Sequence, residues 1–412
     1  MTISGPTPSP GRTAIRYIQC APSSVIQTDN TRLRSHKCIR DARSVKEAMR
    51  FSTCVYPWDL ARIGVREALA ELADLGVSAL KMYPNYHSIE TISPRGSLAG
   101  YCLPLGGVLF PTDRSSYGRI QPEVVADDEV LGVWWDLAEQ APRAGIDIEA
   151  WIVGLYQPWM ALKYPDCARV LPTGDVLTAG VCPASADVAD YVVTLVEDVC
   201  RNFGVGNVAL ERISFPAFDD GWSRPRVLFP LTLAGRWLLG LCFCRNCVAR
   251  SIDLGVDVAA LRHRVLTRIT CEVKKAGAAD DASAMNASLM TWLDEDPELA
   301  AFVRERSVVV GELAERVAET LHAGSTARSL FLLPGTAVET RSSVDRLLEV
   351  LVEHTDGMIC MPGRYAGEPE IRRIADARGS HLELLSMVFP TSMVPPMGSV
   401  ADQLRTAAEL RP

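Results

Sequence analysis

Two groups of residues in this chain have the types and spacing for chemistry. The first is Cys242-Phe-Cys244-Arg-Asn-Cys247. Three thiols at this spacing suit a thiophilic cation, and structural zinc sites close with four such ligands in a tetrahedron. Cys182 or Cys167, both from one upstream loop, could supply the fourth. The alternative is three packed thiols at a helix end. No His-Glu-x-x-His run accompanies the cysteines, so the metal expected here is structural and not catalytic.

The second group centres on Glu211, set in the otherwise apolar run Val208-Ala-Leu-Glu-Arg-Ile-Ser-Phe215. A carboxylate there is costly to bury unless it is paired or used. Desolvation would raise its pKa, as a general acid requires. An ion pair with Arg212 is the structural alternative. Asp219 and Asp220 follow closely and are the nearest candidates for a second carboxylate, with Asp59 a further one. Glu149 and Glu383 fall near the starts of their strands, where a barrel keeps its stabilising residues.

The elements that must position these groups alternate. Runs at 50–56, 79–83, 146–156, 208–215, 329–333, 357–361 and 382–389 read as strands. Amphipathic stretches between them read as helices, several stopped by glycine. Near-continuous apolar strands alternating with helices predict a parallel sheet covered by helices. Seven strands follow residue 50, and a (β/α)8 TIM barrel needs eight. The spare run Ala14–Cys20 is expected to close the barrel. The division expected is a basic N-terminal extension, 1–50, with one strand, and a barrel domain, 51–412. Residues 231–252 and 256–275 read as helices and 276–286 as a small-residue linker. Asp296 reads as an N-cap ahead of Pro297.

At the C-terminal ends of these strands, aromatic and polar residues gather. His87 lies just beyond the second strand of the 50–389 series, and Tyr156 and Gln157 lie beyond the third. Tyr86, Trp151 and Tyr365 are among the aromatics that could stack on sugar rings. Packing in the core is the plainer account of any single one.

The set Tyr-Pro-Trp58, Tyr86-His-Ser88, Tyr164-Pro-Asp-Cys167 through Cys182-Pro183, Val208-Ala-Leu-Glu211, the cysteine run and Gly255-Val-Asp257 resembles a group of bacterial TIM-barrel proteins described as glycoside-hydrolase-like. The cysteine run also resembles the zinc-binding run of glycoside hydrolase family 42. These resemblances imply a sugar cleft at the C-terminal strand ends, with Glu211 as general acid/base. Retaining members carry a second carboxylate on a later strand, and this chain has none at that place. Tyr156 stands where the resembling group has His. A non-hydrolytic biosynthetic barrel (isomerase, lyase or cyclase) or an inactive sugar-binding protein therefore stays open beside a glycosidase.

Composition bounds the rest. The 412 residues, 48% hydrophobic and 22% charged, can bury a large core. A net charge of −8 argues against a general electrostatic grip on nucleic acid, although residues 1–50 hold nine Lys/Arg against three Asp/Glu. Twelve cysteines in so long a chain fit a reducing compartment, so a cytoplasmic protein is expected. Neither a membrane span nor a nucleotide-cofactor motif is apparent. The partner expected is a small sugar or glycoside; a homo-oligomer stays possible.

Overall fold

The computed structural model describes residues 15–20, 50–93, 99–215, 218, 227–275, 281–324, 329–332, 347–360, 371, 373, 374, 376 and 383–388. Its centre is a parallel sheet: β1 (Ile15–Cys20), β2 (Arg50–Val55), β3 (Ala79–Met82), β4 (Asp147–Val153), β5 (Asn207–Glu211), β6 (Ser329–Leu332), β7 (Gly357–Cys360) and β8 (Glu383–Val388). Strands β2 to β7 pair in that order and curl into a half-barrel. The backbone of β8 pairs with β7, and that of β1 pairs with both β8 and β2.

Alternation along each strand decides which side chains face the helices. Val55, Leu80, Met82, Ile148, Ala150, Ile152, Val208, Leu210, Leu330, Leu332 and Met358 join the apolar core formed with the surrounding helices. The intervening residues face the barrel interior, where two of them are charged. Lys81 and Glu149 pair at 2.7 Å, each 1% exposed. Lys81 Nζ also donates to Ser52 Oγ, and Asn207 Nδ2 donates to Glu149 Oε1. Glu149 is thus held from the two strands that flank it, well below the C-terminal rim. Lys81, a lone cation in an apolar strand, was legible by the same signal as Glu149.

Between β5 and β6 lies a helical region with a core of its own. Leu238, Leu241, Leu261, Val265, Leu289, Leu299 and Phe302 meet there. The run 231–252 predicts one helix, but the structure has two, Leu233–Leu239 and Arg245–Asp253. The chain turns at Gly240 so that Leu241 and Phe243 join this core, while Cys242 joins that of the barrel. The expected linker is also corrected. Ala282–Glu295 is a helix, capped by Asp281, whose side chain accepts from the Ala284 N–H. The cap at Asp296 is as expected: it accepts from the Leu299 N–H and starts a 26-residue helix, Pro297–His322. That helix packs its first turns on the helical core and its later turns on the barrel core. No helix among the described residues is long and apolar enough to cross a membrane.

Candidate functional site

Glu211 is the last residue of β5, at the C-terminal rim of the sheet. The strand had been expected to run on to 215. It stops because Arg212 takes φ +60°, unlike any other non-glycine residue described. Such backbone is strained for an arginine and persists where its surroundings hold it. Here Gly154 N–H donates to Glu211 O and Leu155 N–H to Arg212 O, at 2.8 and 2.7 Å.

Around Glu211 stands an aromatic wall. Tyr101, Trp58, Tyr56 and Tyr83 stack in sequence, with centroids 4.1, 4.4 and 4.8 Å apart. Trp151 lies 6.2 Å beyond Tyr83. Tyr86 meets Tyr56 and Tyr83 edge-on, and Tyr56 Oη donates to Tyr86 Oη at 3.2 Å. Glu211 is half-buried as a residue, but protein surrounds its carboxyl. Burial pushes its pKa up, opposed by the Arg212 guanidinium and by the Trp151 indole N–H. That N–H is buried and makes no full hydrogen bond within the protein. The carboxylates of Asp59 and Glu211 both raise the Tyr56 phenol, whose pKa is dominated by burial. Asp59 is half-buried in the helix Pro57–Ile63, just after β2.

His87 and Tyr156 extend the rim. The His87 ring stacks on Tyr86 at 4.3 Å and lies 5.1 Å from Tyr156. Its Nδ1–H donates to Ser88 O at 2.7 Å. Burial pushes the His87 pKa down to about 4, so the ring is neutral at pH 7 and its Nε2 is an acceptor. The Arg212 guanidinium lies 6.0 Å from the Tyr156 ring centre.

Asn85, missed in the sequence, anchors this loop. Fully buried, it donates to Val153 O at 2.7 Å and accepts from Val153 N–H at 3.0 Å, so its side chain copies a strand partner. The turn also rests on Gly106, at φ +75°, where a Cβ would come within 2.5 Å of Tyr86 O. Gln157 is placed differently from a ligand-facing residue. Its amide donates to Val153 O and accepts from the Trp159 indole. Asp219, Asp220 and Tyr365 lie outside the described residues.

The structure gathers Cys182, Cys242, Cys244 and Cys247 at a second place, all buried, with every sulfur within 4.8 Å of the others. Cys182 Sγ is 3.5 Å from Cys247 and 3.9 Å from Cys242. A zinc tetrathiolate with bonds of about 2.3 Å has sulfur–sulfur edges of about 3.8 Å, so the donor set fits such an ion. Cys182 follows the strand Val176–Val181; Cys244 and Cys247 open the helix Arg245–Asp253. Cys167, the other candidate for fourth ligand, instead accepts from Ser185 Oγ, and its carbonyl accepts from the Cys182 N–H.

No protein-family model matches the sequence, and no curated protein matches it. Solved structures do. The chain is similar to alpha-L-fucosidase isoenzyme 2 from Paenibacillus thiaminolyticus, with 11% identity, a TM-score of 0.41, and 96% of this chain and 49% of that one covered. It is similar to a beta-galactosidase from Marinomonas ef1, with 10% identity, a TM-score of 0.43, and 88% and 59% covered. It is also similar to the PgaB (BpsB) glycoside hydrolase domain from Bordetella bronchiseptica, with 14% identity, a TM-score of 0.41, and 97% and 92% covered. The chain thus spans about half and three fifths of the first two. With TM-scores below 0.5, these likenesses assign no residue a role.

Proposed function

We propose that this chain is a glycoside-processing enzyme built on a complete (β/α)8 barrel, closed by β1, with Glu211 as its general acid/base. One observation carries the reading: a carboxyl with a raised pKa ends a central strand inside a wall of phenols and an indole. In the protonated form Glu211 gives its proton to the leaving glycosidic oxygen. The carboxylate left behind is stabilised by the Trp151 N–H and Arg212, the two groups that already favour its ionised form. Asp59, or an aspartate at 219 or 220, activates water or stabilises positive charge at the anomeric carbon. A carboxyl separation of about 5–5.5 Å would give retention and one of about 6.5–9.5 Å inversion. Tyr56, Tyr86, Tyr156 and His87 Nε2 bind hydroxyls, and the aromatic faces take the ring.

The four-cysteine cluster, in this reading, holds a structural zinc ion that ties the helical region to the loop following β4. The ion supplies a cross-link and takes no part in the reaction.

The test is turnover of a glycoside and sugar-conjugate panel in ¹⁸O-water, wild type against Glu211→Gln. Label in the product, lost in the variant, supports glycoside hydrolysis. A second reading, non-hydrolytic proton transfer, draws on the Tyr56–Tyr86 phenol pair beside Glu211, a relay that needs no water. Conversion without label, lost in Glu211→Gln, would select it.

A further inference from the structure

Arg169 is one of the largest fully buried side chains, at 2% exposure. It lies in the short strand Ala168–Val170, alongside the cysteine run. Its Nη2 donates to Gly240 O at 2.6 Å, and the next residue's carbonyl, Val170 O, accepts from the Phe243 N–H at 2.7 Å. The two bonds bracket Cys242. Arg169 Nε is buried without a partner, and among the described residues no carboxylate pairs with the guanidinium.

A guanidinium stays charged in a protein, and burying it without a counter-charge is costly. Four neutral thiols would leave the cation uncompensated. A divalent cation with four thiolates carries a net charge of −2 and would more than offset it. The arginine and the cluster therefore account for each other.

We infer that Arg169 is the charge-compensating residue of a four-thiolate, divalent-metal centre at Cys182, Cys242, Cys244 and Cys247. This rests on the metal reading above. Its role is to offset the negative charge of that centre, and so to favour a thiophilic divalent ion, from beside the run that carries Cys242 and without touching the metal. Outer-shell partners of this kind typically change metal affinity by about 10–100-fold.

The experiment compares full-length wild type, Arg169→Met and Arg169→Lys. Each is titrated with Co²⁺, read by sulfur-to-cobalt charge-transfer absorption, and then competed with a chromophoric chelator. Zinc content after purification and far-UV circular dichroism are recorded alongside. Wild type is expected to bind one equivalent. Arg169→Met should bind at least about 10-fold more weakly, while Arg169→Lys, which keeps the charge, should stay within about threefold of wild type. Equal affinity in wild type and Arg169→Met would overturn the inference. So would equal losses in both variants, which would make the role one of packing. A wild type that holds no zinc and takes up no Co²⁺ would overturn the metal reading itself, whatever the variants do.

Discussion

The rim around Glu211 and the cluster around Cys242 are both buried polar places, but they are built in opposite ways. The cysteine cluster is closed: four thiol donors face one another, and the Arg169 side chain and the Val170 carbonyl clasp the run that carries three of them. The rim is mixed and unequal. Its carboxyl, phenols and neutral imidazole differ in kind, the Trp151 N–H lacks a full hydrogen bond, and the backbone at Arg212 is strained. A closed, satisfied set stores stability, whereas a strained and unequal set is suited to chemistry. Stability and activity should therefore separate when each region is perturbed.

The largest effect should come from opening the closed set. Cys242→Ser should cost about 4–5 kcal/mol in urea denaturation, with loss of bound zinc. Glu211→Gln should change stability by less than about 1 kcal/mol while removing turnover by about 10³-fold. A thermally robust Cys242→Ser protein would break the contrast.

Next comes the barrel interior, which separates structural charge from rim charge. Lys81→Met leaves Glu149 buried and unpaired and should cost about 3–4 kcal/mol; adding Glu149→Leu should restore most of it. Failure of the second change to rescue would mean that this pair does more than hold the strands.

Acid gives a smaller effect that belongs to the rim. His87 is lowered from 6.5 to about 4 on folding, so between those values the unfolded chain binds the proton and the folded chain does not. Stability should fall as pH drops through this window, by up to about 3 kcal/mol. His87→Gln should flatten that part of the pH profile of denaturation midpoints.

The smallest effect sharpens the role of Trp151. Trp151→Phe keeps an aromatic face but removes the N–H that favours ionised Glu211. Turnover should fall by about 10-fold, near 1.4 kcal/mol, with the Glu211 pKa moved further up. A pH–rate profile unchanged from wild type would remove Trp151 from the reaction.

Much of the frame was legible because burial on both faces writes parallel strands as apolar runs, and glycines mark the helix ends. Glu211 and the thiol run stood out for the same reason, as costly residues in places that do not suit them. What stayed hidden depends on contacts distant in sequence. Cys167 and Cys182 occupy one loop, and only the fold brings Cys182 to the other three thiols. Asn85 acts through Val153, sixty-eight residues away. The helix Ala282–Glu295 was hidden by its Ala, Ser and Asn content. Its usable signal was Met285, Leu289 and Trp292 at helical spacing behind Asp281. The left-handed turn at Arg212 had no signal, since the residue types that favour such backbone are Gly, Asn and Asp.

The most direct test of the central claim needs no substrate. The Glu211 carboxyl can be titrated by ¹³C NMR in protein labelled at glutamate side-chain carboxyls, with Glu211→Gln to assign the resonance. The account predicts a midpoint above the usual glutamate range, set by burial and limited by Trp151 and Arg212. A midpoint at or below 4.5 would contradict it, leaving Glu211 an ordinary ionised partner of Arg212 and not the acid of a reaction.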